Sequence, residues 1–97
     1  MARGKYVELN SAKVFHGNRT QDVMLSPDAV IWGCIEHNGH PALVVLNQQE
    51  AGHYEPRTIT LTQGREVEFP ERGTLIGMLP NFGGDPYWIF EVKDEAQ

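Results

Sequence analysis

The sequence predicts an all-β domain, a small partly open barrel or sandwich of six to seven short, mostly antiparallel strands. Short apolar or alternating runs are separated by Gly, Pro, Asn and Asp, which favour turns. The dipeptide Asn38-Gly39 lies between two apolar runs, which is a strong signal for a two-residue β-hairpin. Helix-forming composition occurs only at residues 47–53, so we expect at most one or two helical turns.

The first strands are predicted before this hairpin. Residues 5–10 alternate apolar and polar side chains, and residues 13–16 form a second short run, so both are predicted to be edge or half-buried strands. Residues 22–25 lead into Ser26-Pro27-Asp28, where we predict a turn.

The central hairpin has arms at residues 30–35 and 42–46. With Asn38-Gly39 at the tip, one face carries the pairs His37–His40, Ile35–Ala42, Gly33–Val44 and Ile31–Leu46, and the other carries Glu36–Pro41, Cys34–Leu43 and Trp32–Val45. Both faces are apolar below the tip, whereas a hairpin with one wet face would alternate. Both faces therefore need a cover.

Two further strand pairs are predicted after the hairpin. Residues 57–62 and 66–69 are expected to pair through a three-residue loop, which sets Leu61 beside Val67 and Ile59 beside Phe69. Residues 74–79 and 87–93 are predicted to be the last strands, joined by a loop at residues 80–86.

Size and charge limit the classes of function. The 97 residues (10.9 kDa) are predicted to form one domain over 1–97, with 1–4 and 94–97 frayed. The net charge is −5 and the basic residues are scattered, which disfavours nucleic acid. The longest apolar stretch, residues 42–46, is too short to cross a membrane. One cysteine and an N-terminus without a secretory apolar core predict a soluble, cytoplasmic protein.

The histidines give a weak signal for a metal site. His37 and His40 would lie about 5 Å apart at Cβ, and His53 could be a third ligand. No established metal-binding spacing is present, and histidines beside an Asn-Gly turn are more often solvated turn flanks. The sequence therefore predicts no cofactor, and it leaves a pH-sensitive contact at the tip as a further interpretation.

The aromatic residues are the stronger candidates for binding. The predicted interface residues are Trp32, Val44, Phe82, Tyr87 and Trp88, since Tyr and Trp are common at binding hot spots. Phe82 could instead plug one end of a barrel. Cys34 is predicted to be a buried, inert filler.

The predicted function is a non-enzymatic binding module that forms a homo-oligomer, with a dimer favoured, or docks on another protein. The reason is the excess of strands with two apolar faces at 30–35, 42–46 and 87–90, because large apolar patches usually mark interfaces. The alternative is a small-molecule or metal-binding barrel, and possibly an enzyme, with a site at His37, His40 and His53. Sugar binding on aromatic rings is a third possibility.

Overall fold

The computed structural model describes residues 4–10, 19–48, 52–81 and 84–93. Seven strands follow one another: β1 (Gly4–Glu8), β2 (Arg19–Leu25), β3 (Val30–His37), β4 (His40–Leu46), β5 (Glu55–Gln63), β6 (Gly73–Asn81) and β7 (Gly84–Val92). The described residues include no helix, and accordingly none that could span a bilayer. The predicted all-β class is confirmed.

The strands form two antiparallel sheets that are not closed into a barrel. The three-stranded sheet has the order β1-β4-β3 and the four-stranded sheet has the order β2-β5-β7-β6. Edge strands β3 and β6 lie against each other on one side of the molecule. Near the end of β1, the Gln21 side-chain amide donates to the Asn10 carbonyl and accepts from the Asn10 amide, both at 2.9 Å. This amide links the first segment to the other sheet.

The core lies between the two sheets. Its buried apolar residues are Leu9, Val23, Leu25, Ala29, Leu43, Val45, Ile59, Leu61 and Ile89. Leu9 and Ala29 lie just after β1 and just before β3, and the others come from alternate positions of β2, β4, β5 and β7, as the two-residue period of a strand requires. Burying such side chains contributes roughly 1.5 to 3 kcal/mol each, which makes this layer the main source of stability.

The central hairpin has the predicted turn and most of the predicted register. Asn38 and Gly39 have φ values of 53° and 80°, as a type I′ turn needs. The five pairs from His37–His40 to Gly33–Val44 are as predicted. The predicted pairs Ile31–Leu46 and Trp32–Val45 are wrong, because a bulge between Ile31 and Gly33 places Ile31 opposite Val45.

The predicted second hairpin is wrong. β5 pairs with β2 on one edge and with β7 on the other, so neither edge is free to pair with residues 66–69. The segment 64–72 crosses the outside of the four-stranded sheet instead, and the Phe69 ring packs edge-on against Phe90 at a centroid distance of 4.9 Å. The apolar side chain of Phe69 therefore packs on a sheet face and does not belong to a strand ladder.

The remaining predicted elements have mixed outcomes. The turn after β2 is present, since the Ala29 amide donates to the Ser26 carbonyl at 2.9 Å. The last two strands pair as neighbours and extend into the predicted loop, with Asn81 opposite Gly84. Residues 13–16, most of the predicted frayed ends and Phe82 lie outside the described residues.

Candidate interaction surface

The side of the three-stranded sheet that faces away from the core is largely apolar. Leu43 and Val45 are buried in the core, so Val44, between them, faces outward, and partners in an antiparallel ladder share a face. Pairing with β4 then assigns the apolar members of this surface, which we call the three-stranded outer face: Tyr6, Val30, Gly33, Ile35, Ala42, Val44 and Leu46. The same register places Glu8, His37 and His40 at the tip end of this face. Among the apolar members, Tyr6 and Val30 are exposed, Ala42 is buried and the others are half-buried.

Trp32 stands out from the edge of this sheet. It is the extra residue of the β3 bulge, and 73% of it is exposed to solvent. The bulge brings Ile31 to the core side, which in a regular strand would have received Trp32. Beside Trp32, a Cβ added at Gly33 would meet no atom within 4 Å, so the backbone there borders open space.

The histidine at the hairpin tip interacts with β1. Nδ1 of His37 lies 3.3 Å from Oε1 of Glu8, and its ring centroid is 4.6 Å from that of Tyr6. His40 lies opposite His37 across the turn, as predicted. Glu8, the carboxylate that the register assigns to this face, therefore has a partner within the protomer.

His53 does not join His37 and His40. His53 precedes β5 in the chain, and its Nε2 lies 3.5 Å from Oε1 of Glu55, the first residue of that strand. Among the residues that the structure describes, no group of three or more His, Cys, Asp or Glu side chains is placed to hold a metal ion. The geometry thus gives the three-histidine site no support.

The four-stranded sheet also has an apolar outer face. Pairing with β7 places Leu75 beside Phe90 and Met78 beside Trp88 on the side away from the core, and Phe69 covers the two aromatic rings. The Trp88 indole donates to the Gly64 carbonyl at 2.8 Å, which holds the 64–72 segment in place. We call Phe69, Leu75, Met78, Trp88 and Phe90 the four-stranded outer face.

The predicted interface residues occupy different environments. Trp32 is exposed, Val44 is half-buried on the three-stranded outer face, and Trp88 is half-buried beneath Phe69. Tyr87 packs against the core. Sequence reasoning missed five exposed members of the outer faces: Tyr6, Val30, Phe69, Leu75 and Met78. The alternation of residues 5–10 could have indicated Tyr6, but a bulge between Leu75 and Gly77 hides the pattern of β6.

Three ionisable groups among the described residues have shifted pKa values: Arg57, Glu91 and Cys34. Arg57 makes a bidentate ion pair with Glu91, with Nη2 donating to Oε1 at 2.9 Å and Nε donating to Oε2. Hydrogen bonding to Arg57 lowers the pKa of Glu91, and the pKa of Arg57 is raised by the same bond. Both residues line a groove of about 440 Å³ with Glu55 and Lys93. Burial raises the pKa of the Cys34 thiol.

Comparisons with protein-family models, with curated proteins and with solved structures found no match to this chain.

Proposed function

We propose that this chain is a non-enzymatic interaction module that self-associates through the apolar outer faces of its sheets, acting in the cytoplasm. The supporting observation is where the exposed large apolar side chains lie. Tyr6, Val30 and Trp32 are on or beside one outer face, and Phe69, Leu75 and Met78 are on the other. Apolar side chains gathered on one surface indicate an interface, whereas single exposed ones do not.

The ionisable groups support a binding role over a catalytic one. Arg57 and Glu91 neutralise each other, and Arg57 also donates to the Ala29 carbonyl at 3.3 Å, so the pair fastens β5, β7 and the turn before β3. The Cys34 thiol faces Gly77 across the two sheets. A raised pKa makes this thiol a poorer nucleophile at neutral pH.

Sedimentation equilibrium between about 1 and 200 μM tests the proposal, because small interfaces form weak complexes and we expect a Kd in the micromolar range. We expect the wild-type chain to associate and a variant with both outer faces made more polar, Trp32→Ser with Leu75→Ser and Met78→Ser, to remain monomeric. Circular dichroism verifies that the variant keeps its fold.

Met24→Ser is the matched control. Met24 is an exposed methionine on β2, the edge strand opposite to β6, so two strands of the sheet separate it from Leu75 and Met78. This variant should associate like the wild type. A wild-type chain that sediments as a monomer over the whole range, or a polar variant that associates equally well, would contradict the proposal.

A further inference from the structure

We propose that Asn38 is a site of spontaneous covalent modification, at which the Asn38-Gly39 turn rearranges through a cyclic succinimide into aspartate and isoaspartate while the chain stays folded. The reaction needs a side-chain amide, an accessible amide nitrogen on the next residue, and a backbone that can bring the two together. The hairpin tip supplies all three. This inference does not depend on the proposed self-association.

The reacting groups at the tip are accessible to solvent. Asn38 and Gly39 are both exposed, and they are the two residues that connect β3 to β4. In a type I′ turn the amide of the fourth residue donates to the carbonyl of the first, so the amide of Gly39, the third residue, takes no part in that bond. Gly39 also has no side chain to shield its nitrogen. Water and dissolved base therefore reach the amide that must react.

The backbone of the turn needs one change for the ring to close. Closure requires the Asn38 side chain and the Gly39 nitrogen to lie on the same side, at a ψ of about −120°, as at the first central residue of a type II′ turn. The φ of Asn38 is 53°, close to the roughly 60° that type I′ and type II′ turns share at this residue. The two turns differ by a flip of the central peptide, which reverses the sign of φ at Gly39, and glycine accepts either sign. Both turns close two-residue hairpins, so the strands need not move.

The reaction uses only water. The Gly39 amide nitrogen gives its proton to dissolved base and attacks Cγ of Asn38, which forms a carbon–nitrogen bond and a five-membered ring. The side-chain nitrogen leaves with a proton from the solvent, as ammonia. Water then opens the ring at one of its two carbonyl groups. Opening at the former side-chain carbonyl gives aspartate, and opening at the main-chain carbonyl gives isoaspartate.

Asn47 is an internal control, because it has the same sign of φ without the other features. Its φ is 64° and its side chain is exposed. The next residue, Gln48, has a side chain that crowds the peptide nitrogen, and the Ser26 amide donates to Oε1 of Gln48 at 2.8 Å. A flip of the peptide between residues 47 and 48 would pull on this anchored side chain. We therefore expect Asn47 to react far more slowly than Asn38.

The products change the contacts of the hairpin tip. Both add a carboxylate to a chain whose net charge is already −5. Isoaspartate also routes the main chain through the side-chain carbons, which adds one backbone atom to the loop and disturbs the pairing of His37 with His40. His37 is the residue that contacts Glu8 and Tyr6 of β1. Modification of the turn therefore loosens the contact between the tip and β1.

Peptide mapping of the full chain by mass spectrometry, after incubation at neutral pH and physiological temperature, tests the proposal. Conversion of Asn38 raises the mass of its peptide by about 1 Da, and the aspartyl and isoaspartyl peptides separate by chromatography. We expect the rate constant in the native chain to be within about tenfold of that in the chain unfolded in guanidinium chloride. If the ring closed only after global unfolding, folding would slow the reaction by a factor of about 10³ or more.

Gly39→Ala is the matched variant, and circular dichroism verifies its fold before incubation. Its methyl group crowds the attacking nitrogen, so the rate constant at Asn38 should fall several-fold, while Asn47 in both chains should stay unmodified. In the converted wild type, amide NMR signals of Tyr6 and Glu8 should shift. A native rate more than tenfold below the unfolded rate, conversion of Asn47 as fast as that of Asn38, or a wild-type rate in Gly39→Ala would each overturn the inference.

Discussion

Gly77 is the residue that allows the two sheets to approach each other at β3 and β6. A Cβ placed on Gly77 would lie 2.6 Å from Sγ of Cys34, which is closer than real atoms of these types approach. The sulfur therefore fills the space that a side chain on β6 would need. This contact explains why a cysteine suits position 34, since its side chain is small and apolar.

Gly77→Ala should destabilise the protein by roughly 1 to 3 kcal/mol, because overpacking forces the sulfur or the β6 backbone to move. Chemical denaturation of the single variants and of the double variant with Cys34→Ala measures the coupling. Removing the sulfur should recover most of the loss due to the alanine. Equal costs of Gly77→Ala in both backgrounds would mean that the two residues do not compete for space.

The ion pair between Arg57 and Glu91 makes the free energy of unfolding depend on pH. Arg57 and Glu91 are both on the core side of the four-stranded sheet, with side chains 28% and 15% exposed. The pKa of Glu91 is lower in the folded protein than in the unfolded chain because of the hydrogen bond to Arg57. The unfolded chain consequently binds more protons at acidic pH, and the stabilisation is present only while Glu91 is ionised.

The free energy of unfolding should therefore be fully supported by this pair above the ordinary glutamate pKa of about 4.3 and decline as the pH falls through the lower, folded value. Glu91→Gln should lower the stability at pH 7 by roughly 1.5 to 3 kcal/mol, the range for hydrogen bonds to charged groups. Urea titrations from pH 2.5 to 7 test this, and the variant should lose less stability on acidification than the wild type. Parallel pH profiles for the two proteins would exclude Glu91 as a source of acid sensitivity.

At the scale of elements, the bulge in β3 decides which side chains reach the core. The register on the tip side of the bulge follows from the Asn38-Gly39 turn, and the register beyond it is shifted by one residue. Without this shift Ile31 would be outside and Trp32 would be inside opposite Val45. The bulge also interrupts the exposed edge of the sheet, which reduces uncontrolled strand pairing.

Deletion of Trp32 should leave a regular β3 with the same pairs on either side, because Ile31 would then directly precede Gly33 and still lie opposite Val45. We expect a folded monomer whose unfolding free energy is within about 1 kcal/mol of the wild type, since the deleted side chain is mostly exposed. Chemical denaturation and amide NMR spectra measure the stability and the ladder. A loss of more than about 3 kcal/mol would show that sheet packing needs the local twist of the bulge.

At the scale of the whole molecule, the fold class and the central hairpin could be predicted from the sequence because they depend on local signals. The Asn38-Gly39 dipeptide predicts the turn because both residues readily adopt the positive φ that they show in the structure, and the five pairs next to it follow from counting outward along the two strands. The partners of β5 could not be predicted, because its neighbours β2 and β7 are remote in the chain. Matching apolar side chains between neighbouring segments instead predicts pairing with the nearest apolar run, residues 66–69.

The residues exposed on the outer faces are also difficult to predict from local sequence signals. The excess of apolar residues predicts Trp32 and Val44 as interface candidates, whereas alternation predicts a strand for Phe69 and does not indicate that Leu75 and Met78 are exposed. Their exposure depends on the bulge in β6 and on the path of residues 64–72, and neither has a local signature in the sequence. The three-histidine hypothesis had a similar weakness, since only His37 and His40 were tied together by local geometry.

The paired hydrogen bonds between the Gln21 side chain and the Asn10 backbone have a consequence for the first strand. The side-chain amide imitates a neighbouring peptide group, and the adjacent Leu9 amide donates to the Pro41 carbonyl. The chain is thus tethered to both layers just after β1 ends, whereas Gly4 at its start pairs with β4 alone in the part of the chain that the structure describes. We therefore expect β1 to detach from the sheet at Gly4 first and at Asn10 last.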